Sequence, residues 1–562
     1  MHENIFHLTP SQANLFTCIV IVILSASIWA LLAHWQLQRL HSSVALLSQL
    51  QGPPSQSWFK GNYTHIFDLK QGWDFHKMLA SNYGSVVKIT GHLGKKQLYI
   101  FDTKAMYHIL IKYVSSGAIL FGKGLLSTVG EDHQKQRKIL VPVFSITHVR
   151  SMIPIFYNVA DQLQNALSQR VQSGPQEIDL LSWMARTALE LIGQSGFGYS
   201  FDEMIDDVPK HEYSVIVKNF VPTLTQLAFA RFYLLPLSIK FLPKSIRVFL
   251  MNIIPWKSLH NVRDMVNYMY ELSVQVYEEK KHAFEKGDET VLKQIGKGND
   301  LLSILMRANM KANSEDKLEE NEIIAEISTF IFAAMDTTSS ALARILHLFA
   351  LHPEVQAKLR NELVTVQRKH GSSHLSYDSL VGLPYLDAIC RETLRLYPPV
   401  SSILRENTAD AIVPISQPIY CKNGNKVTEV FVPKGTTVVI SILNSNRNPD
   451  LWGPDVLDWK PERWLSPLPE AILNSRLPAV YSHLMTFNGG SRSCIGFKFA
   501  QLELKVVITM LVKHFKFSLA PKKEIFWQMS GIASPVLAGD GKSKYPEHPQ
   551  LPLIVELIKQ ET

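Results

Sequence analysis

The chain has 562 residues, 46% of them hydrophobic and 19% charged, with a formal net charge of +8. That is enough chain to bury a large core, and no Lys/Arg run is dense enough for nucleic-acid binding, so a membrane surface or an acidic protein partner suits the surplus charge better. Four cysteines, Cys18, Cys390, Cys421 and Cys494, are too few and too scattered for a disulfide framework and fit a reducing compartment.

From Ile5 to Gln38 there is no Asp, Glu, Lys or Arg, and Leu15 to Ala33 is almost wholly apolar. At a rise of about 1.5 Å per residue, a ~20-residue helix here crosses the hydrocarbon core, which predicts a membrane anchor over 1–38 with its span at about 13–33. Ser25-Ala26-Ser27 is small enough for signal cleavage, but the run exceeds a usual h-region and no basic segment precedes it. Glu3 is the sole charge before the span, and Arg39 and Lys60 follow it, so the positive-inside bias places the body in the cytosol. Gly52-Pro53-Pro54-Ser55 breaks any helix and predicts a stiff linker over 39–60, ahead of one catalytic domain over 61–562. Asn62-Tyr63-Thr64 matches a glycosylation sequon that a cytosolic body leaves unused.

Val86–Thr90 and Gln97–Phe101 are β-rich runs around Gly91-His92-Leu93-Gly94, a hairpin signal. Most of the chain from there to Arg391 carries apolar residues at helical spacing. Phe220 to Trp256 is strongly apolar, with scattered Lys and Arg and four prolines; it reads either as buried core helices or as helix ends dipping into a bilayer surface. Lys280 to Glu322 is charge-rich and reads as a solvated connection, and Pro399 to Ile440 as short β pieces.

Several clusters along this layout carry chemistry. In the helix opening at Gly130, His133 and Arg137 lie four apart on one face; alone, such a cluster is a solvated surface. Ile323 to Leu348 is a long helical pattern holding Ala333-Ala334-Met335-Asp336-Thr337-Thr338. Its small residues allow close approach to the backbone, and Thr337 can bond back to the Ala333 carbonyl. Glu392 and Arg395 stand one turn apart and can pair. Phe487-Asn488-Gly489-Gly490-Ser491-Arg492-Ser493-Cys494-Ile495-Gly496 reads as a tight loop running into a helix. The helix N-terminus aimed at Cys494 predicts a lowered thiol pKa and the thiolate form, which binds metal, while Arg492 offers a planar cation to a carboxylate.

The spacing F-x-x-G-x-R-x-C-x-G over Phe487–Gly496 resembles the haem-binding signature of the cytochrome P-450 family, and every fixed position is met. Asp336-Thr337, Glu392/Arg395 and Arg463 within Pro461-Glu462-Arg463-Trp464 follow in the family's order, so the resemblance covers nearly the whole chain. It implies a mainly α fold with small β-sheets, one large helical domain around a buried haem b. It makes Cys494 the axial thiolate ligand of the iron, a ligand that pushes electron density onto the metal. It sets Phe487 in the haem loop and gives Arg492, Arg405 and Arg137 to the haem propionates, with His133 where tryptophan is commoner. Asp336 and Thr337 resemble the family's acid–alcohol pair, which passes protons toward bound oxygen; Ala334 departs from the usual glycine. Glu392, Arg395 and Arg463 would hold the scaffold and do no chemistry.

The resemblance further implies a monooxygenase of the endoplasmic reticulum membrane, taking electrons from NADPH through a separate reductase. This chain shows no flavin or dinucleotide signature. Lys135, Lys138, Lys498 and Lys505 are the candidate basic patch for that partner. The substrate pocket would be lined by Ser115–Leu126, Phe220–Leu227, Phe332–Ala333, Val400–Leu404 and Ser530–Ala533, mainly apolar pieces that suit a lipophilic molecule of terpenoid, steroid, fatty-acyl or aromatic type. The wording of the motifs resembles fungal members that tailor natural products. A haem-thiolate isomerase or dehydratase, or a non-catalytic haem protein, stays open as an alternative; the proton relay at Asp336-Thr337 argues against the former.

Overall fold

A computed structural model describes residues 47–112, 121–205, 212–287, 290, 297–371, 374–538 and 548–558. The expected anchor over 1–38 lies outside the described residues, among which no helix is long and apolar enough to cross a membrane. The architecture is mainly helical with small sheets, as the family resemblance implies.

The largest sheet has the order β1-β2-β7-β4, with β1 at Val86–Thr90, β2 at Lys96–Ile100, β4 at Ser402–Glu406 and β7 at Thr437–Ser441. The expected hairpin is present: β1 and β2 are antiparallel, pairing Val86 with Ile100. β2 and β7 run parallel, which brings the two ends of the chain into one sheet. Residues 47–60, within the expected stiff linker, pack against the sheet. Leu47 and Leu50 are buried in the same core as β2, and the Lys88 amide donates to the Gln51 carbonyl. A Cβ at Gly52 would sit 1.9 Å from the Lys88 carbonyl oxygen, so the turn lies flat on β1. The Asn62 sequon is closed as well: its side chain donates to the Pro54 carbonyl, accepts from the Thr90 amide, and is 1% exposed.

The helical body is built around one element. We label helices in order: α1 Gly72–Tyr83, α2 Thr103–Lys112, α3 Gly130–Val143, α4 Ile153–Val171, α5 Leu180–Leu191, α6 Tyr213–Gln226, α7 Leu235–Phe241, α8 Lys244–Ile253, α9 Lys257–Glu285, α10 Leu301–Lys311, α11 Glu320–Leu351, α12 Pro353–His370, α13 Pro384–Leu396 and α14 Phe497–His514. α11 is buried nearly all round, its polar side chains Glu326, Asp336, Arg344 and His347 included. A capping box between Glu319 and Glu322 starts it, and α5, α9, α13 and α14 pack around it.

Two readings change. Lys280 to Glu322 is not wholly a solvated connection: Lys280 pairs with Asp300 at 3.0 Å, both buried, and Asp300 caps α10, which buries Leu301, Leu302 and Leu305. Phe220 to Trp256 divides. Phe220, Leu224 and Leu227 are core, whereas α7 and α8 bury nothing and leave Leu237, Phe241, Phe249 and Ile253 more than half exposed. Prolines at 236 and 243 reset the chain direction between the two halves.

Candidate active site

Strand β9, Leu484–Gly489, runs into a turn that needs unusual backbone: Asn488 has φ 58° and Gly490 φ 69°. A Cβ on Gly490 would lie 2.5 Å from the Leu110 carbonyl oxygen, and one on Gly489 1.7 Å from that of Pro478. Only glycine allows the loop this close to α2 and its neighbours. The Cys494 amide donates to the Phe487 carbonyl at 2.8 Å, and the Phe487 ring packs between Tyr481 and Phe497. The sulfur stays reachable by solvent although densely surrounded by protein. Burial pushes its thiol up to about 11, against the Gly496 amide and Arg137, which pull downward. The lowered pKa expected from the helix N-terminus is therefore reversed in the protein alone: one N–H and one already engaged cation do not offset desolvation.

Three guanidiniums gather beside this loop. Arg137, on α3, donates to the Ser493 carbonyl and hydroxyl at 2.9 Å each. Arg492 donates to the Leu125 carbonyl at 3.1 Å and to the Thr128 carbonyl. Arg405, on β4, donates to the adjacent Leu404 carbonyl. Burial and then Arg492 hold Arg405 down at about 10, and Arg137 in turn depresses Arg492. His133, from the turn preceding Arg137, is buried and lowered to about 4 by burial, then by Arg492 and Arg137, so it is neutral at physiological pH. None of the three arginines has a carboxylate partner among the described residues. A cluster of half-buried positive charge with only carbonyl and hydroxyl acceptors favours an anion beside it.

Along α11 from Glu322 to Phe349, every residue is buried except Phe332, Ala333, Ala334 and Thr337. Of those four, Ala333 and Thr337, one turn apart, share a face. The Thr337 hydroxyl donates to the Ala333 carbonyl at 2.7 Å, the back-bond its position allows. Asp336 points elsewhere: it is buried and ion-paired to Lys218 of α6. The expected pocket pieces converge on this face. Phe121, Phe220 and Phe332 form a triangle of rings with centroids 5.0–5.6 Å apart. The Ser340 hydroxyl donates to the Ala533 carbonyl, and the Ala533 amide to the Pro399 carbonyl, which ties the Ser530–Ala533 turn to α11 and to the Val400 segment. Residues 113–120 of the first expected pocket loop lie outside the described residues.

Glu392, Arg395 and Arg463 meet. Glu392 takes two bonds from Arg395, one at 3.3 Å from Arg463, one from the Trp464 indole and one from the Lys460 amide. Arg395 spends its remaining donors on the Asn446, Val456 and Asp458 carbonyls. The network thus staples α13 to the segment that leads into the cysteine loop.

A family model for cytochrome P450 matches residues 51–536. The chain belongs to the cytochrome P450 family. It is 48% identical over 538 residues to cytochrome P450 monooxygenase 91 of Postia placenta, covering 93% of this chain and 97% of that one. It is 42% identical over 514 residues to ganoderic acid synthetase CYP5150L8 of Ganoderma lucidum, covering 89% and 93%. This P450 is therefore a monooxygenase, of a family that carries haem and uses a redox partner and a small-molecule substrate. The residues present fit the cofactor: a solvent-reachable sulfur for the iron, and beside it three guanidiniums with no carboxylate partner among the described residues, the donor set two propionates call for.

In this P450 one expected residue drops out of its assigned place. Lys505 is 2% exposed and paired with Asp387 at 2.8 Å, so it is not surface charge for a partner. It lies on the inner face of α14, a position that its charge alone disguises in the sequence. Of the other three lysines, Lys135 pairs with Glu322 and Lys138 with Asp316. Lys218, conversely, gave no signal: its partner stands 118 positions away and only the fold brings them together.

Proposed function

We propose that this P450 is a membrane-anchored haem-thiolate monooxygenase that places one oxygen atom of O2 into a lipophilic, terpenoid-like molecule as a tailoring step in natural-product biosynthesis. Electrons come from NADPH through a separate reductase, and the body sits on the cytosolic face of the endoplasmic reticulum. The observation that carries the reading is the half-buried group of Arg137, Arg405 and Arg492 beside Cys494, without an acid among them.

Cys494 would hold the iron of haem b through its sulfur, Arg405, Arg492 and neutral His133 would hold its two propionates, and the bound group would supply oxygen activation. Arg137 keeps the Ser493 backbone and hydroxyl fixed, and through them the loop that presents the sulfur. Phe121, Phe220 and Phe332 form an apolar wall that excludes water and orients a flat or polycyclic hydrocarbon by surface burial. Thr337 holds a hydroxyl at the opening of α11, and Asp336 next to it provides a carboxyl to pass protons inward. The terpenoid assignment takes support from the Ganoderma relative named a ganoderic acid synthetase.

Membrane association draws on a second surface besides the anchor. α7 and α8 present Leu237, Phe241, Phe249 and Ile253 with Lys240, Lys244 and Arg247 between them, and Phe59 stacks on Phe229 at 4.8 Å just ahead of α7. The test is direct. Reduced protein with carbon monoxide should give the strongly red-shifted band of a sulfur-ligated porphyrin, and Cys494→Ser should lose it. Incubation with reductase, NADPH and 18O2 should put one labelled atom into a triterpenoid. A carbon monoxide band at the position of a nitrogen-ligated haem would overturn the reading.

A further inference from the structure

The C-terminal end of α11 borders an open cleft of about 680 Å³, whose other walls are the facing ends of β10 (Phe515–Leu519) and β11 (Ile525–Gln528) and the turn between them. That volume lies in the range that holds a small organic molecule, roughly 300–1,000 Å³. It is separate from the pocket of Phe121, Phe220 and Phe332. His347, which lines it, stands ten positions beyond Thr337 on α11, about 15 Å along the helix axis.

The cleft holds one buried donor without an acceptor. His347 is 8% exposed, and its Nδ1 lies 3.0 Å from the Trp527 indole nitrogen. An indole N–H only donates, so Nδ1 accepts and the proton of the ring sits on Nε2. Burial, and then Arg344, lowers the ring to about 4, so it is neutral at physiological pH. No described residue accepts from Nε2–H. Three positions earlier on the same side of α11, the Arg344 guanidinium stacks 3.5 Å from the Trp527 ring centroid and 4.2 Å from that of Tyr397. Its Nε makes no hydrogen bond, and no carboxylate meets it among the described residues.

The rim adds charge and apolar surface. Lys522 is exposed, adopts φ 60°, and has no ion-pair partner among the described residues. Lys523 is neutralised by Glu177, which leaves Lys522 and the arginine behind His347 against Glu524 alone. A desolvated cation without a counter-ion favours an anion beside it. Leu351 is 47% and Leu519 42% exposed, and both stand in this cleft with Ile525.

We propose that the cleft is a second ligand site, for an apolar molecule that carries one carboxylate. The carboxylate accepts from His347 Nε2–H with Lys522 closing over it, and the apolar body covers Leu351 and Leu519. Two donor groups suit a two-oxygen, singly charged head better than a phosphate. His347 supplies the donor and Trp527 fixes its tautomer.

The test uses full-length holoenzyme in lipid nanodiscs, with 4-phenylimidazole on the haem iron to close the haem pocket. Equilibrium dialysis against radiolabelled octanoate, corrected with empty discs, should leave about one equivalent bound to this imidazole-saturated enzyme. Octanol, the same chain without the charge, should bind at least about tenfold more weakly. Lys522→Asn, which suits the left-handed backbone there, should weaken octanoate several-fold, and His347→Leu by about tenfold. His347→Gln, which keeps an acceptor for the indole and an N–H for the ligand, should restore most of the loss. Octanoate that the imidazole displaces completely belongs to the haem pocket and overturns the proposal. Equal binding of octanoate and octanol overturns it too, as does octanoate binding that Lys522→Asn and His347→Leu leave unchanged. Should His347→Leu not take up haem, Leu519→Asp sets a like charge on the exposed apolar wall and carries the same measurement; octanoate binding that it leaves unchanged overturns the site.

Discussion

Glu392 accepts two parallel hydrogen bonds of 2.8 Å from Arg395, and neither side chain has any exposure to solvent. Three further donors, from Arg463, Trp464 and the Lys460 amide, fill the remaining lone pairs. The carboxylate is therefore satisfied in the way a buried charge requires. Replacing it by the isosteric amide, Glu392→Gln, leaves two guanidiniums short of an anion and should destabilise the fold by roughly 3–5 kcal/mol. Urea titration followed by tryptophan fluorescence checks this; a loss below about 1 kcal/mol would mean the network is incidental.

The arginine cluster predicts effects of opposite sign with and without cofactor. Arg405 is held down to about 10 by burial and by Arg492, so removing either charge relieves the apoprotein of repulsion. Arg405→Leu should leave the apoprotein as stable as before or more so. The same change should speed haem loss by roughly 10–100-fold, the equivalent of one charge-assisted hydrogen bond. Transfer of haem to an excess of apomyoglobin measures the second quantity, and thermal melting of the apoprotein the first. Faster haem loss with a weaker apoprotein would mean that Arg405 is a structural cation.

Acid should unfold the protein partly through His76. Its ring lies 2.6 Å from the Tyr99 hydroxyl and 3.1 Å from the Ile66 carbonyl, and burial lowers its pKa from 6.5 to about 4. A depressed histidine is neutral in the fold and takes a proton more readily when unfolded. Its contribution is present above pH 6.5 and is lost as the pH falls from 6.5 toward 4, by at most about 3 kcal/mol. His76→Asn should flatten the fall in stability across that window, read from urea midpoints at pH 7, 6, 5 and 4. An unchanged slope would exclude His76 as the cause.

The charges on the cysteine side separate into two kinds. Lys138 is 68% exposed and Lys505 is 2% exposed. If reductase docks on this face, Lys138→Glu should slow turnover at low salt, and the defect should shrink toward 0.5 M salt as screening sets in (Debye length below about 5 Å). Lys505→Met should instead leave Asp387 with Arg391 as its one ion-pair partner among the described residues and lower stability, with the salt profile retained. Equal salt profiles for wild type and Lys138→Glu would remove the patch from the docking model.

Much of this was legible in the sequence, for a physical reason. The cysteine loop, the α11 motif and the Glu392–Arg395 pair are local: spacing within ten residues sets them, and spacing is what a sequence displays. The β1–β2 hairpin was legible in the same way. What depends on distant pairing was not. Lys505 looked like surface charge because nothing nearby in the chain announces Asp387, and the Lys218–Asp336 contact spans 118 positions. The thiol of Cys494 was misjudged in sign because helix-dipole reasoning is local, whereas desolvation sums over everything packed around the sulfur. Residues 47–60 read as a stiff linker, and the sequence did not show the strand they pack on: proline and glycine report local stiffness, not distant contacts.

The exposed apolar helices permit a final prediction about substrate access. α7 and α8 have no buried residue, yet they carry Phe241 at 67% and Phe249 at 61% exposure, a density of apolar side chains that water alone does not favour. The bland alternative, scattered surface hydrophobics, would tolerate charge there without effect. If these helices rest in the headgroup region and receive a lipophilic substrate from it, then Phe241→Glu and Phe249→Glu each forfeit about 1.5–3 kcal/mol of burial. The proposed anchor over 1–38 would by itself keep the protein on the membrane, so fractionation is the wrong measurement. The right one is the ratio of KM for a membrane-dissolved terpenoid to KM for a small water-soluble probe. That ratio should rise roughly tenfold with kcat unchanged, because the substitutions sit outside the pocket and alter only delivery to it. An unchanged ratio would leave the apolar face without a part in catalysis.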